Sequence, residues 1–148
     1  ICSTGIRVSE LRFITVEAAE SGIAQITNKG KTRTAILIPV LCSRLTEYAG
    51  KKNIKTGSIF ITRNGRPMDR SCILHEMKNL SKKANVERSK IFPHNLRHLF
   101  AYTYYNQARN IVYLADLLGH SDINTTRIYT ACTVQDQINV IESLNLVE

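Results

Sequence analysis

Residues 93–129 read PHNLRHLFAYTYYNQARNIVYLADLLGHSDINTTRIY, and this stretch decides the fold prediction. It contains two apolar segments with helical spacing, one over residues 96–100 and one over residues 111–118. The spacing predicts two amphipathic helices. Gly119 follows the second segment, at the position where glycine commonly ends a helix in the left-handed conformation.

The same stretch concentrates polar side chains that bind anions or transfer protons: His94, Arg97, His98, His120 and Tyr129. His94 and Arg97 are three residues apart, so they share one face of the first predicted helix. His120 comes directly after the glycine that ends the second helix. Thr125 and Thr126 are expected to cap a short third helix that carries Tyr129.

The rest of the chain predicts a small hairpin among further helices. An apolar stripe at Val8, Leu11 and Ile14 predicts a helix that begins near Arg7. Residues 16–39 change period and predict a β-hairpin with its turn at residues 29–30. The later segments are a helix over 39–53, a strand over 58–62, a turn at 64–65 and helices over 71–84 and 134–146. Together they predict one α+β domain, mostly α-helical.

The composition indicates the class of binding partner and the cellular compartment. The 148 residues suit a single domain with a sizeable core. Lys and Arg number 20 against 12 Asp and Glu, a net charge of +8, which indicates a polyanionic partner, nucleic acid first. Charge alone also fits an ordinary basic protein. No apolar run approaches the length of a membrane span. The four cysteines form no CxxC pair, which is typical of reduced thiols in a cytosolic protein.

The candidate side chains indicate a site for an anionic centre, since they comprise arginines, a lysine, histidines and a tyrosine with no acid among them. Zinc hydrolysis is a weaker alternative: His94 and His98 have HxxxH spacing, but Asn95 stands where a zinc protease has glutamate. Cys2 and Arg7 resemble a cysteine-phosphatase loop only loosely, because the spacing is one residue short. The chain has no GxxxxGK(S/T) motif, and so no nucleotide-binding P-loop.

Phosphoryl transfer to a tyrosine fits these residue types best. An arginine fork pairs two phosphate oxygens at once, and two forks can neutralise the charge on a pentacoordinate phosphorus. A tyrosine hydroxyl, with a pKa of about 10, needs a base or a strong field before it attacks at neutral pH. A histidine supplies either, and a lysine on a flexible hairpin can protonate the leaving sugar oxygen. Neither a metal ion nor a cofactor is expected, because the guanidinium pair carries the charge.

Motifs that occur in the right order resemble those of the tyrosine recombinase (phage integrase) family. Residues 4–11, TGIRVSEL, are similar to its first box, and residues 94–98, HNLRH, are similar to its second. The segments LGH at 118–120 and TTRIY at 125–129 match the end of the second box. The turn NKGK at 28–31 resembles the Gly-Lys-Gly turn of the family. The match covers nearly the whole chain.

The resemblance implies a role for each matched residue. Tyr129 would be the nucleophile that forms a 3′-phosphotyrosyl bond to DNA and frees a 5′-hydroxyl. Arg7 and Arg97 would clamp the scissile phosphate. His94 would act as a base or as a phosphate donor, and His120 would hydrogen-bond a non-bridging oxygen.

The hairpin would supply the remaining groups. Lys29 would be the general acid for the leaving 5′-oxygen. Lys31 is the alternative, because this turn is one residue shorter than the usual family pattern. Lys31 and Arg33 are also candidates for DNA contact. His98 is expected to be a helix-packing residue and stays outside the catalytic set.

The resemblance further implies double-stranded DNA as substrate, other protomers in a tetrameric synapse, and a location in the bacterial cytoplasm without a membrane. Family members usually carry an N-terminal DNA-clamping domain. Residues 1–148 are therefore expected to be a catalytic fragment that lacks this domain and the first catalytic helices, with little activity alone. The helix over 134–146 either docks on a neighbouring protomer or folds back. A type IB topoisomerase and a catalytically silent DNA-binding relative are the alternative functions, although the LGH and TTRIY boxes favour a recombinase.

Overall fold

The structure is a computed structural model that describes residues 1–28, 30–130 and 134–144. Its helices are α1 (Val16–Ser21), α2 (Pro39–Lys51), α3 (Arg70–Ala84), α4 (Pro93–Ala108), α5 (Ile111–Leu118) and α6 (Val134–Ser143). Its strands are β1 (Ile23–Asn28) and β2 (Lys31–Ile36). Short 3-10 segments cover Val8–Phe13, Arg88–Lys90, Ile123–Thr125 and Arg127–Tyr129. The predicted α+β architecture, mostly helical with a small antiparallel hairpin, is confirmed.

β1 and β2 form an antiparallel hairpin with a two-residue connection. Asn28 lies opposite Lys31 and Ile23 lies opposite Ile36, so the register is unbroken along both strands. Gly30 has a φ of +74°, the left-handed conformation that two-residue hairpin turns favour. The predicted turn is therefore confirmed. Lys29, the predicted general acid, lies outside the described residues.

The described residues form two apolar clusters. The larger joins the first 3-10 segment, α1, the hairpin and α2, and its most deeply buried side chains include Ile6, Ile26 and Ile59. The smaller joins α4, α5 and the last 3-10 segment through Leu114, Leu118 and Tyr129. The predicted site residues come from segments of both clusters, so their geometry depends on how the two pack together. No helix in the described part of the chain has the length and apolar content of a membrane span.

Residues 16–39 contain a helix that the sequence analysis did not predict. α1 follows Thr15, whose side chain accepts a hydrogen bond from the Ala18 N–H at 3.1 Å. It ends at Gly22, which has a φ of +76°. The cap and the glycine stop are both visible in the sequence. Six residues are nevertheless too few for a helical period to stand out against the neighbouring strands.

The strand predicted over residues 58–62 is wrong. This segment makes only single bridges, Thr15 with Ser58 and Ile61 with Pro67. The second bridge is flanked by bonds from the Thr62 N–H to the Arg66 carbonyl and from the Met68 N–H to the Phe60 carbonyl, and α3 begins at Arg70, so the pairing extends no further. Apolar residues at 59 and 60 follow instead from burial, since Ile59 is fully buried in the larger cluster.

α6 and the residue that follows it expose apolar side chains, which include a stripe at three-residue spacing. Ile138, Ile141 and Leu144 are 40%, 66% and 55% exposed. The described residues therefore do not cover this stripe, and a contiguous apolar patch is typical of an interaction surface. Docking on a neighbouring protomer stays a prediction.

Gly5 lies where any side chain would collide with α4. Its φ is +64°, and a Cβ built on it would lie 2.5 Å from Cδ1 of Phe100. Gly5→Ala is expected to lower the free energy of unfolding by roughly 2–5 kcal/mol, the sum of left-handed strain and overpacking. Gly65→Ala is the matched control, because its φ is +74° but the space around it is open. Thermal unfolding of the two variants checks the difference, and equal losses would contradict the collision.

Candidate active site

Arg7 directly precedes the first 3-10 segment and borders an open cavity. Its Nη1 donates to Glu10 Oε1 at 3.0 Å, and its Nη2 donates to the Gly119 carbonyl at 3.1 Å. The Arg7 backbone N–H donates to Glu10 Oε2 at 2.7 Å, which fixes the turn that carries both residues. The side chain is still 36% exposed. The guanidinium is therefore held in place and remains accessible to a ligand in the cavity.

Arg97 projects from α4 and is only 4% exposed. Its Nη1 donates to the Gly5 carbonyl at 2.6 Å. Its Nη2 donates to the Leu118 carbonyl at 2.7 Å and to His120 Nε2 at 2.9 Å. Burial, reinforced by the charge of Arg7, lowers the pKa of Arg97 to about 10. The guanidinium therefore stays charged at neutral pH.

Glu10 is an acid beside these arginines, although the candidate side chains taken from the sequence include none. Its side chain is 2% exposed. It binds Arg7 through both the side chain and the backbone, and Oε2 accepts a bond from Arg33 Nη2 at 2.6 Å. A buried carboxylate is costly unless it is paired and hydrogen-bonded. Two guanidinium groups and one backbone N–H meet that requirement here.

Three guanidinium groups converge on the C-terminal end of α5. The hydrogen bonds run from Arg33 to the Leu117 carbonyl, from Arg97 to the Leu118 carbonyl and from Arg7 to the Gly119 carbonyl. The last carbonyls of a helix have no partner within the helix, and they carry the partial negative charge of its dipole. Successive carbonyls therefore hold three cations as neighbours despite their mutual repulsion.

His120 follows this helix end and contacts Arg97 and Thr126. A guanidinium can only donate, so His120 Nε2 accepts from Arg97 and the ring proton lies on Nδ1. Nδ1 then donates to Thr126 Oγ1 at 2.8 Å. Burial, with the positive charges of Arg97, Arg7 and Arg33, lowers the pKa of His120 to about 4. The imidazole is therefore neutral at pH 7.

Thr126 is fully buried, and its hydroxyl bonds the His120 ring rather than a backbone group. The predicted capping role is wrong, because its side chain makes no cap hydrogen bond to the segment that carries Tyr129. A threonine hydroxyl both donates and accepts. It can therefore support either tautomer of His120, including the one with its proton on Nε2 that could donate to a phosphate oxygen.

The lowered pKa of His120 predicts a pH dependence of stability. The unfolded chain takes up a proton near pH 6.5, whereas the folded chain takes it up only near pH 4. The free energy of unfolding is therefore expected to fall as the pH is lowered from about 6.5 to about 4, and to level off below. His120→Gln should flatten this part of the profile in denaturant titrations. An NMR signal of His120 that titrates near 6.5 would contradict the assignment.

The Tyr129 ring packs in line with two histidines. The ring centroids of His98 and Tyr129 are 5.3 Å apart, and those of His94 and His98 are 4.3 Å apart, edge-on in both cases. Burial raises the pKa of Tyr129, although the charge of Arg97 opposes the shift. The phenol is therefore neutral at pH 7. Burial, with His98, Arg97 and Arg70, lowers the pKa of His94, so its imidazole is neutral and can accept a proton.

The predicted hairpin residues border the same cavity as Arg7. This cavity runs past His120 to Lys31 and Arg33. Lys31 is exposed. Arg33 is only 16% exposed and binds protein groups, and its predicted contact with DNA stays a prediction. Lys29 lies outside the described residues, so the choice between Lys29 and Lys31 as general acid also stays open.

Two residues in the site, Glu10 and Thr126, were missed or misjudged by the sequence analysis. Glu10 had a signal, an acid three residues after an arginine at the start of a helical turn, which is capping-box spacing. His98 shares a helix face with His94, so its contact with that ring follows from the spacing. The contact between Thr126 and His120 has no signal in the sequence beyond the residue types.

The model of the phage integrase family matches residues 1–136 of this chain. Tyrosine recombinase XerD of Chlamydia trachomatis serovar D is 33% identical over 136 residues, which are 86% of this chain and 45% of that protein. The chain belongs to the phage integrase family. XerD of Staphylococcus aureus strain Mu50 is 33% identical over 137 residues, 86% of this chain and 46% of its own length. This phage integrase chain thus spans about half the length of the curated relatives it matches.

Solved structures confirm the tyrosine recombinase catalytic-domain fold. XerA recombinase superposes with a TM-score of 0.77 at 25% identity, covering 99% of this chain and 55% of that one. XerH recombinase bound to its difH substrate gives 0.79 at 25% identity, with coverages of 99% and 45%. The Tn1549 transposon integrase in complex with transposon right-end DNA gives 0.80 at 20% identity, with coverages of 99% and 56%. The last likeness is one of fold alone.

Proposed function

We propose that this chain is the catalytic part of a site-specific DNA recombinase, which cleaves and rejoins double-stranded DNA through a 3′-phosphotyrosyl intermediate. The observation that carries the proposal is that Arg7 and Arg97 bind adjacent carbonyls at the end of α5. His120 Nε2 bonds Arg97, and the Tyr129 ring contacts His98, the residue next to Arg97, so the charge of Arg97 acts on the pKa of the phenol. Two guanidinium forks beside a neutral imidazole suit a phosphodiester.

The proposed reaction is an in-line displacement at phosphorus. The Tyr129 hydroxyl oxygen attacks the phosphorus and its proton passes to a base, for which His94 is the candidate. The bond from phosphorus to the 5′-oxygen breaks, and a hairpin lysine, Lys29 or Lys31, protonates that oxygen. Arg7 and Arg97 stabilise the charge that develops on the non-bridging oxygens. His120 donates to one of these oxygens after its proton moves to Nε2.

Rejoining is the reverse reaction. A 5′-hydroxyl attacks the phosphotyrosyl phosphorus, and the Tyr129 oxygen leaves and regains its proton. The phosphodiester energy is kept in the covalent bond, so no nucleotide cofactor is needed. Positive charge comes from guanidinium groups, so we expect the reaction to proceed in the presence of a chelator. Strand exchange would require further protomers in a tetrameric synapse, and the DNA substrate would place the protein in the bacterial cytoplasm.

Covalent trapping on a nicked suicide duplex tests this function. Because the chain spans about half of its relatives' length, the assay uses the complete natural protein and a site selected from random duplexes. The nick lets the short 5′-hydroxyl fragment diffuse away, so the protein stays attached to the DNA. We expect an adduct that forms in EDTA and resists denaturation in detergent. No adduct at any salt concentration would favour a silent DNA-binding relative instead.

A second readout separates the recombinase from a type IB topoisomerase. A recombinase should exchange strands between two duplexes that carry the selected site, and it should act poorly on unrelated DNA. A topoisomerase should relax supercoiled DNA of any sequence without exchange. DNA binding should weaken steeply with added salt in either case, as phosphate contacts do.

A further inference from the structure

Arg33 is a third guanidinium at the site, and it comes from the hairpin rather than from a matched motif. It projects from β2, where it pairs in register with Ile26. Nη2 donates to Glu10 Oε2 at 2.6 Å, and Nη1 donates to the Leu117 carbonyl at 2.7 Å. A Cβ built on Gly119 would collide with its side chain. Arg33 is therefore bound on several sides by protein groups.

The negative charge of Glu10 opposes the positive charge of Arg7, and Arg33 can neutralise it. The carboxylate touches Arg7, one of the two groups proposed to hold the scissile phosphate. A carboxylate that pairs with Arg7 alone would cancel its charge and leave only Arg97 to face the phosphate. With Arg33 present, the three guanidinium groups and one carboxylate sum to two positive charges. Attack by a phenolate on a phosphodiester places two negative charges on the pentacoordinate phosphorus, which is the complementary number.

We propose that Arg33 is a positioning residue that neutralises Glu10, so that the charges of Arg7 and Arg97 both remain available to the phosphate. This inference rests on the proposed function. In this role Arg33 acts through Glu10, to which its Nη2 donates, and a direct contact with DNA is the alternative that the binding measurement below would reveal. Its bond to the Leu117 carbonyl also ties the hairpin to the helix end that holds the other two arginines.

A charge-balanced mutant cycle tests the inference in the complete protein. The variants are Arg33→Gln, Glu10→Gln, their combination and Arg33→Lys, and the rate of adduct formation is measured at saturating suicide substrate. Arg33→Gln should slow the reaction by roughly 10- to 100-fold, as expected for a displaced phosphate contact. Arg33→Gln should have much less effect in the Glu10→Gln background, because no carboxylate is then present to cancel the charge of Arg7. A slowdown of the same size in both backgrounds would overturn the proposal.

A neutral substrate distinguishes an electrostatic role of Arg33 from a merely structural one, because only an electrostatic role depends on the charge of the reacting group. A methylphosphonate at the scissile position removes one negative charge from the reacting group. The rate ratio of the parent protein to Arg33→Gln should shrink on this substrate, and an unchanged ratio would count against the proposal. Arg44→Gln is the matched control: it removes one positive charge from the exposed face of α2, away from the cavity residues, and should leave both rates unchanged.

Further measurements distinguish the possible causes of a negative result. If Arg33 contacts DNA directly, Arg33→Gln should weaken binding and reduce the salt slope by about one, with an unchanged saturating rate, which overturns the positioning role. Thermal melts establish folding. Should Arg33→Gln not fold, Arg33→Lys carries the test, because it keeps the charge and should remain within about tenfold of the parent rate. A larger loss in folded Arg33→Lys would contradict neutralisation. If the parent and Arg44→Gln also form no adduct, the proposed function itself has failed.

Discussion

Tyr129→Phe is expected to abolish the covalent protein–DNA adduct and to leave DNA binding nearly unchanged. The substitution removes only the hydroxyl oxygen, which is the proposed nucleophile. The loss should be at least about 10⁴-fold, since removing a covalent nucleophile costs more than that in hydrolases. The ring, 8% exposed in the cluster with Leu114 and Leu118, should still pack. Gel analysis of adduct on a suicide duplex measures the reaction, and fluorescence anisotropy measures binding.

Tyr102→Phe is the control for this experiment. Tyr102 lies on α4 and is 59% exposed, so the same loss of one oxygen should not change the adduct. An adduct that persists in Tyr129→Phe would identify another nucleophile and end the assignment. The raised pKa of Tyr129 adds a further check. With a histidine base the rate should level off above the pKa of that histidine, whereas an unassisted phenol would react faster with each increase in pH.

The local elements of this fold could be predicted because each depends on neighbouring residues. The hairpin follows from strands joined by a two-residue turn with glycine at its second position, which fixes the register of Asn28 against Lys31. α4 and α5 follow from apolar residues at helical spacing. Gly119 adopts a φ of +65° at the end of α5, as its position predicts.

The convergence of the arginines could not be derived from spacing. The bond from Arg33 to Leu117 joins residues 84 apart in the chain, and the bond from Arg7 to Gly119 joins residues 112 apart. No periodicity extends over such distances. The family motifs indicated that Arg7 and Arg97 would meet, and the structure adds Arg33 and shows what brings the three together. That cause is a helix end with unpaired carbonyls, a general property of helices rather than of any motif.

Thr126 shows why a local rule can fail at a functional site. A threonine before a short helical segment is a good cap in isolation. Here the hydroxyl is fully buried, and the nearby His120 ring needs a partner for Nδ1. The cost of leaving a buried ring nitrogen unpaired exceeds the benefit of capping a three-residue turn. The same reasoning applies to Glu10, whose buried charge determines the partners of two arginines.

Arg97→Lys is expected to lose adduct formation by roughly 10²- to 10³-fold, although it preserves the charge, because an ammonium cannot replace a planar fork. Arg97 uses two nitrogens to bind the Gly5 and Leu118 carbonyls, and Nη2 also binds His120. A lysine at this position would leave at least one buried carbonyl without a donor. The free energy of unfolding should therefore fall by about 1–3 kcal/mol as well. Suicide-substrate kinetics and denaturant titration measure the two effects.

The two losses can be separated, because stability is recovered by cooling and catalysis is not. Rates are compared at a temperature where both proteins are fully folded, and Arg44→Lys on the exposed face of α2 is the conservative control. The pKa of His120 gives an independent signal. In Arg97→Lys the positive charge no longer lies against Nε2 of His120. Because the charge of Arg97 lowers the pKa of His120, this pKa should rise from about 4 in the variant. If folded Arg97→Lys reacts within a few-fold of the parent rate, Arg97 does not bind the scissile phosphate through its guanidinium fork. The buried position of this arginine would then be explained by the two carbonyls alone.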